Sequence, residues 1–502
     1  MKVITRIIAM KSIEKGNVSP AGPMPPADQV IVIGAGASGM MAAIAAARAG
    51  AGVRLLEQMK KPGRKLLLTG NGRCNLTNLD PDLPKAYHSV QSAAFADELA
   101  ESVFSSFDVR QTLGFFETLG LLTQERDGYV YPRSSQAQSV LQVLLGELDR
   151  LHVRMKYDTA VTGLEYDRPQ ELWLVKTPTW IYPARAVVLS CGSKAGIGAA
   201  FPDYHLAGMA GHTGVDPWPA LTALHCADQD LKLCEGARTK AKVTLIDAGI
   251  LPYLQDLSAA AGYEKTEITG MHSPKDRGWG ILPKNRAGED LAASAGLRIA
   301  CDEGEIQWTA SEISGIPVFQ LSRFTYGLSA KSPMVVSVDF FPEHKEEWIR
   351  SYLRKQFEVN AKGSDLSHIL NGLVHERIAS YLIYKSELRQ KTGLGNRAGL
   401  MDEKDKITDP DRAAALFALL FKRLALIVDG TRDFEKAQIV IGGISLAEVD
   451  FQTLESLVCP GLFLAGEVLD MDGPCGGYNL QWAWSSGTVA GRSAAGMKHT
   501  AK

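Results

Sequence analysis

"VIVIGAGASGMMAAIAAARAGAGVRLLEQ", residues 30–58, decides the fold. Val30 to Ile33 is a short apolar run of the kind that forms a strand buried on both faces, and it stops at Gly34. Gly34, Gly36 and Gly39 then stand in G-x-G-x-x-G spacing, followed by an alanine-rich helical stretch and a second strand, Val53 to Leu56, that ends at Glu57. Gly34 makes the tight turn, Gly36 lets a pyrophosphate reach the backbone, and Gly39 lets the helix close onto the strand. The helix start offers unpaired N–H groups and a partial positive charge to phosphate. Glu57 falls where a carboxylate accepts hydrogen bonds from an adenosine ribose; the same charge would repel a 2′-phosphate, which argues against NADP at this position. NAD and FAD both fit this cradle. The pattern predicts an α/β fold with a Rossmann-like parallel sheet and its ligand at the carboxyl ends of the strands.

The run from 30 to 56 is long enough to span a membrane, but a glycine-rich turn and Arg48 interrupt it. A chain of 502 residues exceeds a single core, so two or three domains are expected. Its 54 basic and 56 acidic residues leave a net charge of -2, too small a field to gather nucleic acid or anionic lipid. Seven cysteines with no C-x-x-C pair suit a reducing compartment better than a disulfide framework or a zinc site. The apolar stretch near the N-terminus is broken by Arg6 and is too short for a signal-peptide core. These features predict a cytoplasmic protein with no nucleic-acid partner, no stable membrane association and no metal; they leave the oligomeric state open.

Two further stretches choose the cofactor. "PGRKLLLTGNGRCNLTN", residues 62–78, interleaves Gly63, Gly70 and Gly72 with Asn71, Asn75 and Asn78, and adds Arg64, Lys65 and Arg73. Such a loop can take tight or left-handed turns and lay its amides along an extended pyrophosphate. Near the other end, "GLFLAGEVLDMDGPCGGYNLQWAWSSGTVAGRSAAG", residues 461–496, repeats the grammar of strand, Gly466-Glu467 step, glycine-rich loop and helix from about Asn479. Glu467 suits the hydroxyls of a ribityl chain, and the amides of Gly477, Tyr478, Asn479 and Leu480 suit a ring that gathers negative charge on reduction. A nicotinamide has neither feature, so FAD is favoured as the resident cofactor.

"GRKLLLTGNGRCNLTN" and "GLFLAGEVLDMDGPCGGYNLQWAWSSG", with "PALTAL" (219–224) and "SGIPVFQLS" (314–322), resemble the HI0933-like family of flavoproteins, also called BaiN-like or aminoacetone-oxidase-like. The resemblance covers most of residues 29 to 495. It implies a two-dinucleotide-type FAD fold with two insertions: the FAD-binding domain at 29–204 and 436–502, an inserted β-rich domain at 205–340 and an inserted helical domain at 341–435; residues 1–28, with four prolines between Pro20 and Pro26, read as a flexible lead-in outside it. It further implies cofactor contacts at Gly34, Gly36, Ser38, Gly39, Glu57, Lys65, Asn71, Arg73, Cys74, Asn75, Gly466, Glu467, Gly477, Asn479 and Leu480. The chemistry implied is reduction of a ring double bond conjugated to a ketone in a bile-acid or steroid-like substrate. Two departures stand out. "LSCGS", residues 189–193, replaces the A-T-G-G turn of related flavoproteins, and "TASEISG", residues 309–315, lacks the histidine that often follows the threonine.

No second complete G-x-G-x-x-G unit exists, so NADH or NADPH would dock transiently in the substrate's own cleft, a ping-pong arrangement. Tyr478, beside the flavin-facing turn, is the candidate proton donor, with a packing role as its alternative. Cys74 and Cys475 raise a dithiol idea that their spacing does not favour. His225, His272 and His375 lack ligand spacing; His225 lies near the "PALTAL" segment of a possible substrate cleft. A flavin amine oxidase using oxygen and a non-enzymatic flavin-binding sensor or interaction protein stand as the alternatives to the reductase.

Overall fold

The computed structural model describes residues 28–196, 204–254, 278–285, 291–360, 366–387 and 409–497. Residues 1–27 of the lead-in and His272 lie outside these residues. Asp28–Ile33 is the centre of a seven-stranded sheet, parallel to Val53–Leu56 on one side and to Ile181–Leu189 on the other. Arg154–Lys156 extends the sheet beyond Val53–Leu56, also parallel. The preceding helix, Ala137–Arg150, provides the crossover that a parallel neighbour needs. That helix has no side-chain cap. Gly163–Asp167 and Leu172–Lys176 form the antiparallel hairpin at the other edge.

Ile181–Leu189 is long enough to hold different partners along one edge. Its first half pairs with Leu172–Lys176 and its last three residues with Leu462–Leu464, which arrives from the far end of the chain. Ile33, Leu56 and Leu464 all lie in register with the same level of the sheet, Ile33 and Leu464 both opposite Leu189. Four strands therefore stop together, and the turns after them share one edge.

Two helices cover this region. Ala37–Arg48 buries Ser38 through Ala46 without an amphipathic stripe, because it is covered on all sides. One of its covers is the C-terminal helix, Tyr478–Gly496. Their approach depends on glycine: a Cβ at Gly487 would lie 2.3 Å from the Ser38 carbonyl oxygen, and one at Gly491 2.2 Å from that of Ala42.

The chain leaves this domain through Gly214–Ala220 and returns through Ile439–Ile444, which pair antiparallel to each other. Between them six strands close a ring, in the order Leu224–Cys226, Glu312–Ser314, Arg298–Trp308, Arg238–Ile246, Met334–Asp339 and Leu424–Thr431, the last pairing back to the first. Trp279–Ile281 adds to Leu424–Thr431. The helices Glu346–Asn360, Leu366–Asn371, Glu376–Glu387 and Pro410–Arg423 follow the fifth strand of this barrel, and their Leu353, Phe357, Tyr381 and Phe417 share one core with Leu245, Trp308 and Val336 of the barrel. The segment read as helical from sequence thus ends in a barrel strand.

Candidate functional site

The shared strand edge opens into a cleft of about 1250 Å³. Ligand clefts ordinarily run from about 300 to 1,000 Å³, so there is room for more than one small molecule. Gly34, Gly36, Ser38, Glu57, Lys65, Asn71, Arg73, Asn75, Glu467, Gly477, Asn479 and Leu480 line it. They come from chain segments more than 400 positions apart. Gly39, Cys74, Gly466 and Tyr478 are not among the lining residues.

Local chemistry explains the placement. Gly34 sits at φ +99°, and a Cβ there would lie 2.6 Å from the Ser190 carbonyl oxygen. At Gly39 the corresponding atom would be 1.8 Å from the Gly34 carbonyl oxygen, so Gly39 serves the helix–strand contact. At Gly36 a Cβ would meet no protein atom within 4 Å: it would project into the cleft. Glu57 is buried and fixed by two backbone donors, Ala35 N–H at 2.7 Å and Met59 N–H at 2.8 Å. The 62–78 stretch forms a short helix, Arg64–Leu68, then a tight turn in which Gly70, Asn71, Gly72 and Cys74 all take positive φ. Beside it, the Asn75 side-chain oxygen is buried with no hydrogen-bond partner among the described residues. An unpaired amide facing a cleft whose glycine wall is open is what an extended polar cofactor would complete.

Lys65 and Glu467, read separately from sequence, form an ion pair across the cleft; Lys65 also donates to Ser193 Oγ at 3.2 Å, and Val440 N–H donates to Glu467 at 3.0 Å. Ser193 belongs to the "LSCGS" turn, all five of whose residues, 189–193, line the cleft. Gly477 precedes the 19-residue C-terminal helix, whose first-turn N–H groups have no intrahelical acceptor, and Gly477, Asn479 and Leu480 line the cleft. The Asn479 side chain is committed elsewhere, accepting from Gly473 N–H at 2.9 Å and donating to the Gly473 carbonyl at 2.7 Å, so it holds the 473–477 loop closed.

The structure does not bring the Tyr478 hydroxyl to the cleft. It donates to Asp80 Oδ2 at 2.7 Å, and burial, then the bond to Asp80, pushes its pKa well above the ordinary tyrosine value. The first residue of a helix projects back over the preceding turn, here toward Asp80. In this structure the Tyr478 hydroxyl is therefore committed to Asp80 at the helix start. Tyr478→Phe is expected to cost about 1 kcal/mol of stability, the worth of one hydrogen bond, read by urea denaturation of the flavin-loaded protein.

Cys74 is buried and outside the lining, while Cys475 lines the cleft; burial pushes each thiol up to about 12. Neither is a ready thiolate. His225 is paired with Asp429 at 2.6 Å beside a smaller recess and does not line the main cleft. His375 accepts from Arg377 N–H at 3.2 Å at the start of its helix.

Sequence reasoning missed Tyr129 and Tyr131, which line the cleft from the strand Tyr129–Pro132. The signal was the alternation of "YVYP", which puts both rings on one face. It also missed the far wall, where Leu221, Ile316, Pro317, Phe319 and Ile439 form an apolar surface alongside Glu303 and Glu305 of the barrel. Among the described residues no helix is long and apolar enough to cross a membrane.

Comparison with known proteins agrees with this architecture. The model of the HI0933-like protein Rossmann domain matches residues 28–493. A 3-dehydro-bile acid delta(4,6)-reductase of Clostridium scindens is 35% identical over 474 residues, 93% of this chain and 99% of that protein. The ribosomal RNA dihydrouridine synthase of Escherichia coli is 25% identical over 468 residues, 91% and 95% of the two chains. Among solved structures, a 3-ketosteroid-delta4-(5alpha)-dehydrogenase of Rhodococcus jostii in complex with 4-androstene-3,17-dione has 14% identity and a TM-score of 0.45, over 95% of this chain and 99% of that one. A family model that spans nearly the whole described chain, with a relative at 35% identity end to end, shows that the protein belongs to the HI0933-like family and is an FAD-dependent oxidoreductase.

Proposed function

We propose that the protein is a nicotinamide-driven reductase of a C=C bond conjugated to a ketone in an apolar ring substrate of bile-acid or steroid type, working in the cytoplasm. The observation that carries the reading is the apolar wall of Leu221, Ile316, Pro317, Phe319 and Ile439 in the same cleft as the glycine cradle, so that a hydrophobic ring and a flavin share one space. The end-to-end identity with the bile-acid reductase supplies the reaction class.

In this reading Gly36, Ser38, Glu57, Lys65, Asn71, Arg73, Asn75, Glu467, Gly477, Asn479 and Leu480 hold FAD. Gly34, Gly39, Gly466 and Cys74 shape the backbone behind them. The bound flavin, once reduced, supplies a hydride. The free N–H groups at the start of Tyr478–Gly496 stabilise negative charge, and the glycine-bounded loop brings them close. Glu57, held by two backbone donors, accepts from the ribose. The apolar wall binds the ring and excludes water.

The Escherichia coli relative favours a second reading, since dihydrouridine formation also saturates a C=C bond conjugated to a carbonyl. The near-zero net charge supports the small substrate. Anaerobic stopped-flow of the flavin-loaded protein separates these. NADH or NADPH is expected to bleach the flavin, and a 3-oxo-4-ene steroid or bile acid to restore its colour with formation of the saturated ketone. Recovery only with uridine-containing ribosomal RNA supports the second reading. Peroxide formed from an amine in air makes the protein an oxidase, and a flavin that no nicotinamide reduces leaves a sensor.

A further inference from the structure

The strand Tyr129–Pro132 turns Tyr129 and Tyr131 into the cleft and buries Val130 and Pro132 behind them. It pairs with Thr77–Asn78, Tyr129 opposite Asn78 and Val130 opposite Thr77. That short strand is the seat of the glycine turn before the C-terminal helix. A Cβ at Gly477 would lie 2.6 Å from the Thr77 carbonyl, and Asn78 Nδ2 donates to the Gly476 carbonyl at 2.9 Å. The Tyr129 ring closes the turn from the cleft side, its Cε1 only 2.5 Å from where a Cβ at Gly476 would sit. The ring is thus fixed by packing against the segment that leads into the helix start. Its hydroxyl, in contrast to that of Tyr478, has no hydrogen-bond partner among the described residues. Burial raises the Tyr129 pKa, and Tyr131, Cys475 and Asp302 raise it further, so the group carries its proton at neutral pH. Asp302 lies on the barrel strand whose Glu303, Gly304 and Glu305 form the opposite wall. Tyr129 therefore stands where the helix start, the barrel and the cleft meet.

We propose that Tyr129 is the proton donor of the reduction, an inference that rests on the enone-reductase reading above. The β-carbon of the conjugated ketone gains a hydride whose electron pair comes ultimately from the reduced nicotinamide, which leaves oxidised. The C=C π bond breaks as the Tyr129 O–H gives its proton to the α-carbon, directly or through the enolate oxygen, and the phenolate recovers a proton from solvent.

Tyr129→Phe keeps the ring on Gly476 and removes only the acid. In anaerobic stopped-flow, reoxidation of the nicotinamide-reduced variant by a 3-oxo-4-ene steroid is expected to slow about 100-fold or more, far more than reduction by nicotinamide slows. A second readout needs no turnover: calorimetric titration of the oxidised protein with a saturated 3-keto steroid is expected to show about 3- to 10-fold weaker binding in the variant. Reoxidation at the wild-type rate overturns the assignment, as does a loss carried by Tyr131→Phe with Tyr129→Phe silent. If the wild-type protein neither binds nor reduces any ketone of the panel, the substrate reading itself fails, and with it this role.

Discussion

Gly36→Val is expected to yield a folded protein that purifies colourless. The backbone at Gly36 is extended, φ -81° and ψ -169°, a conformation valine accepts readily, and no protein atom lies within 4 Å of the added Cβ. The apo fold therefore tolerates the side chain. A ligand approaching the backbone there does not, and its phosphates lose both contact with the amides and the space they need. FAD affinity is expected to fall by about 100-fold or more, roughly 3 kcal/mol, measured by flavin fluorescence on adding FAD to the apo protein. The urea midpoint of the apo variant should stay close to that of the apo wild type. Flavin bound at wild-type stoichiometry would sink the cradle assignment. Gly39 is the instructive contrast, because a Cβ there strikes the Gly34 carbonyl and acts on the fold itself.

The second large effect lies where the inserted barrel meets the cofactor domain. Arg323, just after the short helix Ile316–Ser322, is buried with its Nε on Asp472 Oδ2 at 2.6 Å and one terminal nitrogen 3.1 Å from both the Ala86 and Asp472 carbonyls. His88 Nδ1 meets the other Asp472 oxygen at 2.9 Å. Arg323→Ala leaves a buried carboxylate with His88 alone and takes the Arg323 donor from the Ala86 carbonyl, while the Asp472 carbonyl keeps His88 N–H at 2.8 Å, so it is expected to cost about 3–5 kcal/mol. Chemical denaturation of the flavin-loaded protein measures this, and a loss below about 1 kcal/mol would show the pair to be replaceable by water. The same pair ties the apolar wall at Ile316, Pro317 and Phe319 to the 472–477 loop. The two faces of the cleft are thereby held at one separation.

Much of the cofactor domain was legible because its chemistry is local. G-x-G-x-x-G, the strand before it and the acid after it lie within 30 residues, and each glycine answers to its own neighbours. The C-terminal repetition of that grammar was equally readable. The direction of the Tyr478 side chain was not legible, because sequence adjacency to a glycine turn says nothing about which way a helix's first side chain projects; Asp80, almost 400 positions away, decided that. Tyr129 escaped because a four-residue strand with two tyrosines reads as ordinary surface until its pairing with Thr77–Asn78 is known.

By itself the sequence determined the cradle, its buried strands and the glycine loops, since these depend on backbone conformation and hydrophobic burial within short segments. Only the tertiary structure decided that Leu464 ends level with Ile33, that Lys65 pairs with Glu467, that the strand Leu424–Thr431 closes the barrel, and that Tyr129 and not Tyr478 lines the cleft. Those outcomes follow from strand register and long-range contacts, whose partners lie tens to hundreds of residues apart and so leave no mark in any single stretch.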